Sequence, residues 1–286
     1  MTRPCRSALY IPGSKARALE KARELPADAI IFDLEDAVAP EEKPAARVLL
    51  AKMLAEVDHG AQLRIVRING LDTVWGRADA QAMAAVVAAG VKIDAILVPK
   101  VSAPSDLEAV AALVPDVDLW AMMETAAGML NAGAIAAHPR LKGMVMGTND
   151  LARELGSRFR TDRLPLVTGL GLCLLAARSR GLVILDGVYN AFRDDDGLRA
   201  ECEQGRDMGF DGKTLIHPAQ LDIANAVFAP SEAEVALARR QIEAFREARA
   251  AGQGVAVVDG RIVENLHVAT AEAMLAKVRA IAERAG

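Results

Sequence analysis

Ala29-Ile30-Ile31-Phe32, running into Asp33-Leu34-Glu35-Asp36, decides the reading of this chain: four apolar residues stop at charge, and a helix-like stretch, Glu41 to Leu50, follows. The pattern recurs six times. Leu63 to Val66 runs into Arg67 and Asn69, Ala95 to Val98 into Lys100, and Leu119 to Met123 into Glu124 and Thr125. Met144 to Met146 meets Thr148, Asn149 and Asp150, Leu182 to Leu185 meets Asp186, and Thr214 to Ile216 meets His217. With Ser7-Ala8-Leu9-Tyr10-Ile11 as a first strand the count is eight, and the intervening segments are long enough for crossover helices. Eight such units predict a (β/α)8 barrel of TIM type, whose polar strand ends converge on one mouth at the carboxyl side, where barrel enzymes carry their active sites.

A barrel takes about 250 residues, and the 286 residues here leave room for an appendage. The pattern predicts a barrel domain over 1–228 and a C-terminal segment over 229–286. Trp75 to Ala89 reads as a helix stopped by Gly90, and residues 126–138 as another. In Pro230-Ser231-Glu232-Ala233-Glu234 the serine and Glu234 form a capping box, ahead of an apolar stripe of Val235, Ala238, Ile242 and Phe245. That helix is expected to stop at Gly252. A short run Val255 to Val258, the turn Asp259-Gly260 and a final amphipathic helix from about Val268 to Ala285 complete the appendage. The arginine-rich stretch Gly156 to Leu166 has no clear period and reads as a mobile loop at the mouth.

Composition removes several function classes. Aromatics make up 3% of residues and the net charge is -4, which argues against nucleic acid, whose single strands need stacking platforms and cations. Cys5, Cys173 and Cys202 form no C-x-x-C pair, so neither a disulfide framework nor a thiolate metal site is expected and a reducing, cytoplasmic setting is read. No apolar run approaches a membrane span or a signal peptide, and the mature chain is expected to begin near Met1.

Glu124 and Asp150 should close neighbouring strands and face one point. Two carboxylates without a competing His or Cys cluster suit Mg²⁺, which keeps much of its water and takes one or two protein carboxylates; the alternative is that each caps the helix after it. Arg67 ends an apolar strand, where a guanidinium either holds a substrate carboxylate through its two-pronged edge or forms an internal ion pair with Asp33, Glu35 or Asp36. The same acidic trio could hydrogen-bond metal-bound water or accept a proton, or Asp36 could cap the next segment. Ile11-Pro12-Gly13-Ser14-Lys15 is a tight turn into a basic helix, with Lys15 the preferred phosphate contact and a solvated helix face the alternative reading. His217 shapes the mouth without chemistry, and His59, His138 and His267 read as surface or packing residues.

Six motifs then occur in order: Arg6-Ser7-x-Leu9-x-x-Pro12-Gly13-Ser14, Phe32-Asp33-Leu34-Glu35-Asp36-Ala37-Val38, Val66-Arg67-Ile68-Asn69, Met123-Glu124-Thr125-x-x-Gly128, Gly147-x-x-Asp150-Leu151 and Ile216-His217-Pro218-x-Gln220. Together they resemble the citrate lyase beta-subunit-like proteins of the HpcH/HpaI aldolase superfamily, from about Arg6 to the C-terminal helix. The resemblance implies that Glu124 and Asp150 ligate Mg²⁺ and, with Gly147 and Arg67, bind substrate, Arg67 taking the carboxylate of the oxo-acid part. Glu35 and Asp36 would support metal-bound water, and Arg6, Pro12, Gly13 and Lys15 would help hold coenzyme A.

The chemistry implied is reversible cleavage of a malyl-, citramalyl- or citryl-type 3-hydroxyacyl-CoA into a 2-oxo acid and an acyl-CoA. The partners expected are small molecules only, with no nucleic acid and no membrane. Relatives bring an acid from a C-terminal lid of an adjacent subunit, so a homo-oligomer, trimer or hexamer, is implied. The matching stretch here is Gly260-Arg261-Ile262-Val263-Glu264-Asn265, in which Glu264 replaces the usual aspartate and the following proline is missing. That change leaves the lid geometry, the acid and any thioester-hydrolysing activity open. Competing expectations are a metal-dependent aldolase on free 2-oxo acids, against which the basic Pro12 to Lys15 turn speaks, and a non-catalytic subunit of a larger lyase.

Overall fold

The computed structural model describes residues 3–285. Eight parallel strands close into a barrel in sequence order: β1 Ser7–Pro12, β2 Ala29–Asp33, β3 Leu63–Arg67, β4 Ala95–Val98, β5 Asp118–Met123, β6 Leu141–Met146, β7 Val183–Asp186 and β8 Gly212–Leu215. The expected topology is the observed one. Most strands are apolar on both faces because one face meets the barrel interior and the other meets the helices; β8 is the exception, burying Lys213 and Thr214.

Two apolar groups result. Ala8, Ile31, Ile65, Leu97, Trp120, Met122, Val145 and Leu185 fill the interior, whereas Leu9, Ile30, Phe32, Val66, Ile96, Met123, Met146 and Ile184 pack outward against the helices. The barrel tolerates Trp120 inside because Gly143, its partner on β6, has no side chain; a Cβ there would collide with the indole ring. The period of two has a functional result: continuing the inward series toward the carboxyl ends gives Tyr10, Asp33, Arg67 and Glu124 as the top layer. Register fixes them as neighbours, since Asp33 pairs with Pro12 on one side and with Arg67 on the other.

The chain divides into a unit spanning Cys5–Phe228 and a second unit of Ala229 onward together with the short segment 3–4. In the second unit the helix Glu232–Ala250 starts at the Ser231–Glu234 capping box and ends before Gly252, whose φ is 76°. The appendage is not purely helical: β9 Ala256–Val258 and β10 Arg261–Val263 make an antiparallel hairpin before the helix Asn265–Ala285. The single helix expected over 126–138 is two short ones, Ala126–Leu130 and Ala132–Ala136, broken at Asn131. The three cysteines are buried. Among the described residues no helix is long and apolar enough to cross a membrane.

Candidate active site

The mouth holds a cavity of about 270 Å³, lined among others by Tyr10, Asp33, Arg67, Glu124, Gly147 and Asp150. Arg67 is its fixed cation. Its Nε and Nη2 donate to the two oxygens of the fully buried Asp33 at 2.7 and 2.6 Å, and its guanidinium lies 4.9 Å from the Tyr10 ring centre. Burial alone would raise the Asp33 carboxyl, but Arg67 on both its oxygens holds it below the usual range. The internal ion pair is therefore formed, and the two-pronged edge expected to meet a substrate carboxylate is committed to Asp33. What lines the mouth is the other edge: Nη1 lies 3.0 Å from Glu35 Oε2 and donates to Asp36 Oδ2 at 3.4 Å. Asp36, expected as a possible helix cap, points to Arg67 instead.

Glu124 follows β5 directly and is almost completely buried. It caps nothing, because Thr125 does that, its Oγ1 accepting from the Gly128 N–H. One Glu124 oxygen accepts from the Lys100 N–H at 2.8 Å. Burial first, then the neighbouring Glu35, pushes the Glu124 carboxyl up to about 8. Asp150 is not at a strand end, as expected, but in the first turn of the helix Thr148–Glu154 after β6, bonded to Arg153 at 2.5 Å. Gly147 lies between them, and a Cβ there would overlap Glu124 Cβ and Oε2.

Two carboxylates face the mouth, and burial, then the neighbouring Glu35, raises the carboxyl of one of them, Glu124. Hard oxygen donors of this kind fit a divalent ion such as Mg²⁺. Among the described residues no group of three or more His, Cys, Asp or Glu is gathered as a ligand set, so an ion here would lean on two protein carboxylates.

Sequence reasoning missed Lys100 as a site residue. It adopts a left-handed backbone, φ 52°, which turns its N–H onto Glu124 while Nζ reaches Glu35 Oε1 at 2.5 Å. Burial raises Glu35 against the pull of Arg67 and Lys100. The signal available was a lysine closing an apolar strand, as Arg67 does. Asp33, expected either as a partner for Arg67 or as one of an acidic trio near metal-bound water, takes the first place and accepts from Arg67 on both its oxygens.

Arg6 is corrected. It precedes β1, at the amino end of the strands and away from the mouth, and its guanidinium is spent on Asp28 at 2.9 Å from both Nε and Nη2. The Pro12 to Lys15 turn is at the mouth end: the Gly13 N–H donates to Asp33 O, a Cβ on Gly13 would collide with Leu34, and Lys15 is exposed. His217 stacks on Phe192 with ring centres 4.6 Å apart, and its Nδ1 accepts from the Ala219 N–H. Glu264 belongs to the second unit, exposed between β10 and the last helix, its N–H donating to His267 Nδ1.

An eight-stranded parallel barrel whose mouth sets a fixed guanidinium and a lysine beside carboxylates defines a class: β/α-barrel proteins with a polar site at the carboxyl ends of the strands. The chain belongs to the HpcH/HpaI aldolase/citrate lyase family, whose profile matches residues 6–218. It is 73% identical over 279 residues, 98% of this chain and 96% of the relative, to a (3S)-malyl-CoA thioesterase of Cereibacter sphaeroides strain KD131. An L-malyl-CoA/beta-methylmalyl-CoA lyase of the same species, strain ATCC 17025, is 33% identical, with 98% and 96% of the two chains covered. The solved structure of CitE from Mycobacterium tuberculosis with magnesium, acetoacetate and coenzyme A matches with a TM-score of 0.81 at 31% identity, covering 96% of this chain and 97% of that one.

Proposed function

We propose that this protein hydrolyses the thioester of a malyl-type 3-hydroxyacyl-CoA, with Mg²⁺ held by Glu124 and Asp150. The observation that carries the reading is the likeness along nearly the whole chain to a protein named as a malyl-CoA thioesterase, joined to a mouth with two carboxylates and a fixed guanidinium. When bound, the ion supplies positive charge that holds the carboxylates ionised and polarises substrate oxygens.

The chain's own residues do the rest. Arg67, anchored by Asp33, keeps a fixed positive charge at the mouth, and the substrate carboxylate would displace the longer 3.4 Å bond from its Nη1 to Asp36. Gly147 gives the backbone clearance for the hydroxy-acid end beside Glu124. Asp36, the most exposed of the acidic trio, takes a proton from the attacking water, a carbon–oxygen bond forms at the thioester carbonyl, the carbon–sulfur bond breaks, and the thiolate leaves to be protonated. We assign that protonation to Glu264 of a neighbouring copy, and the Pro12 to Lys15 turn to the coenzyme arm.

Carbon–carbon scission is the second reading, favoured by the lyase relative. Both reactions hold the hydroxy acid in the same way and differ in which bond breaks. Incubation with Mg²⁺ and malyl-CoA separates them: hydrolysis gives free coenzyme A thiol and malate, and scission gives acetyl-CoA and glyoxylate. Free thiol without glyoxylate is expected. Glyoxylate and acetyl-CoA in equal amounts would establish the lyase instead.

A further inference from the structure

The larger of the two cavities at this end of the barrel is not the mouth. A cavity of about 480 Å³ lies under the segment Arg158–Leu166, against the loop after β7 and the helix Asp195–Met208. It borders the mouth, and both are lined by Asn149 and Asn190. These two side-chain amides bond reciprocally, at 3.2 and 2.8 Å, and so form a partition. Beyond it the walls are apolar: Phe159, Pro165, Leu166 and Val188. Phe159 is 69% exposed, a large apolar group with no packing use of its own.

The polar end is cationic. Arg163 is 4% exposed and takes the left-handed backbone, φ 51°; its Nη1 donates to both oxygens of Asp186 at 2.7 Å and its Nε to Gln204. Its Nη2 is buried without an acceptor among the described residues. Of the four cations gathered here, Arg160 is matched by Asp162, and Arg163 and Lys213 by Asp186 and Glu201. Arg158 has no partner among the described residues. One positive charge is left over beside an apolar chamber.

We infer that this chamber is a second small-molecule site, for an organic carboxylate with an apolar body. The apolar part would lie against Phe159 and Val188 and the carboxylate would meet Arg158 at the cationic end. The ligand is separate from the thioester in the mouth, so the inference does not rest on the proposed reaction. Because Asn149 adjoins Asp150 on the same helical turn, occupancy would be felt where the cation binds.

The test uses the metal-free protein and titrates 3-phenylpropionate and hexanoate by calorimetry, with 3-phenylpropionamide as the uncharged control. Saturable binding of a carboxylate is expected, at least tenfold weaker for the amide and in Arg158→Ala, since a charge-assisted bond is lost. Ala200→Phe, which fills the chamber without touching a charge, should abolish binding, while Asp150→Asn in the mouth should leave it unchanged. Absence of saturable binding, or binding lost in Asp150→Asn and kept in Ala200→Phe, would overturn the site.

Discussion

At the scale of single residues, Lys100 shows most plainly how the site is organised. A non-glycine residue at φ 52° costs roughly 1–2 kcal/mol, and this one lies on the mouth with its amide on Glu124 and its ammonium on Glu35. Lys100→Gly keeps the amide, relieves the backbone and removes the ammonium. Thermal melting should therefore stay within a few degrees of the parent or rise, while turnover of the thioester falls at least about tenfold. A variant that melts low and turns over normally would make Lys100 a structural residue. Arg67 and Glu124 were legible as mouth residues because each charge closes an apolar run, whereas Asp150 lies a helical turn beyond its strand. The sequence could not show that Arg67 spends two donors on Asp33, since the choice between an internal and an external carboxylate depends on side-chain distances that no pattern encodes.

At the scale of elements, eight strands were readable because an alternating interior and exterior both demand apolar residues, and the polar stop at each carboxyl end is abrupt. The connections were less so. Residues 126–138 carry helix formers throughout, yet the chain breaks at Asn131, and Arg6 resembled a ligand residue although it lies at the opposite strand end, on Asp28. His59, in the connection before β3, was read as surface or packing. It is 3% exposed and meets Phe32 edge-on at 5.1 Å between ring centres. Burial lowers its pKa below the usual 6.5. The unfolded chain then takes up this proton first as pH falls, so the stabilising effect of a neutral His59 is present at high pH and is lost below about 6.5. In urea denaturation, the stability of the parent relative to His59→Gln should decline from pH 7.5 to 5.5. A pH-independent difference would contradict the burial argument.

At the scale of the whole molecule, the barrel supplies a rigid mouth and the second unit supplies Glu264 on its own hairpin and helix. If Glu264 serves the mouth of a neighbouring copy, Glu264→Gln and Asp150→Asn should each be inactive, yet recover activity when refolded together. Random mixing in a closed ring leaves roughly a quarter of sites with both residues intact. Recovery toward that fraction is expected of coenzyme A release assays, and no recovery from two folded, mixed variants would remove Glu264 from the chemistry. That Glu264 is a carboxylate in the segment resembling the family's lid was visible in the sequence, but its reach was not, because reach depends on packing between copies that no pattern within one chain encodes.

The central claim is that Glu124 and Asp150 together make one cation site at the mouth. Calorimetric titration of Mg²⁺ into the purified protein tests it most directly. One ion per chain is expected in the parent, and binding at least about tenfold weaker in both Glu124→Gln and Asp150→Asn, with melting temperatures of the metal-free variants close to the parent's. Parental Mg²⁺ affinity in both variants would contradict it.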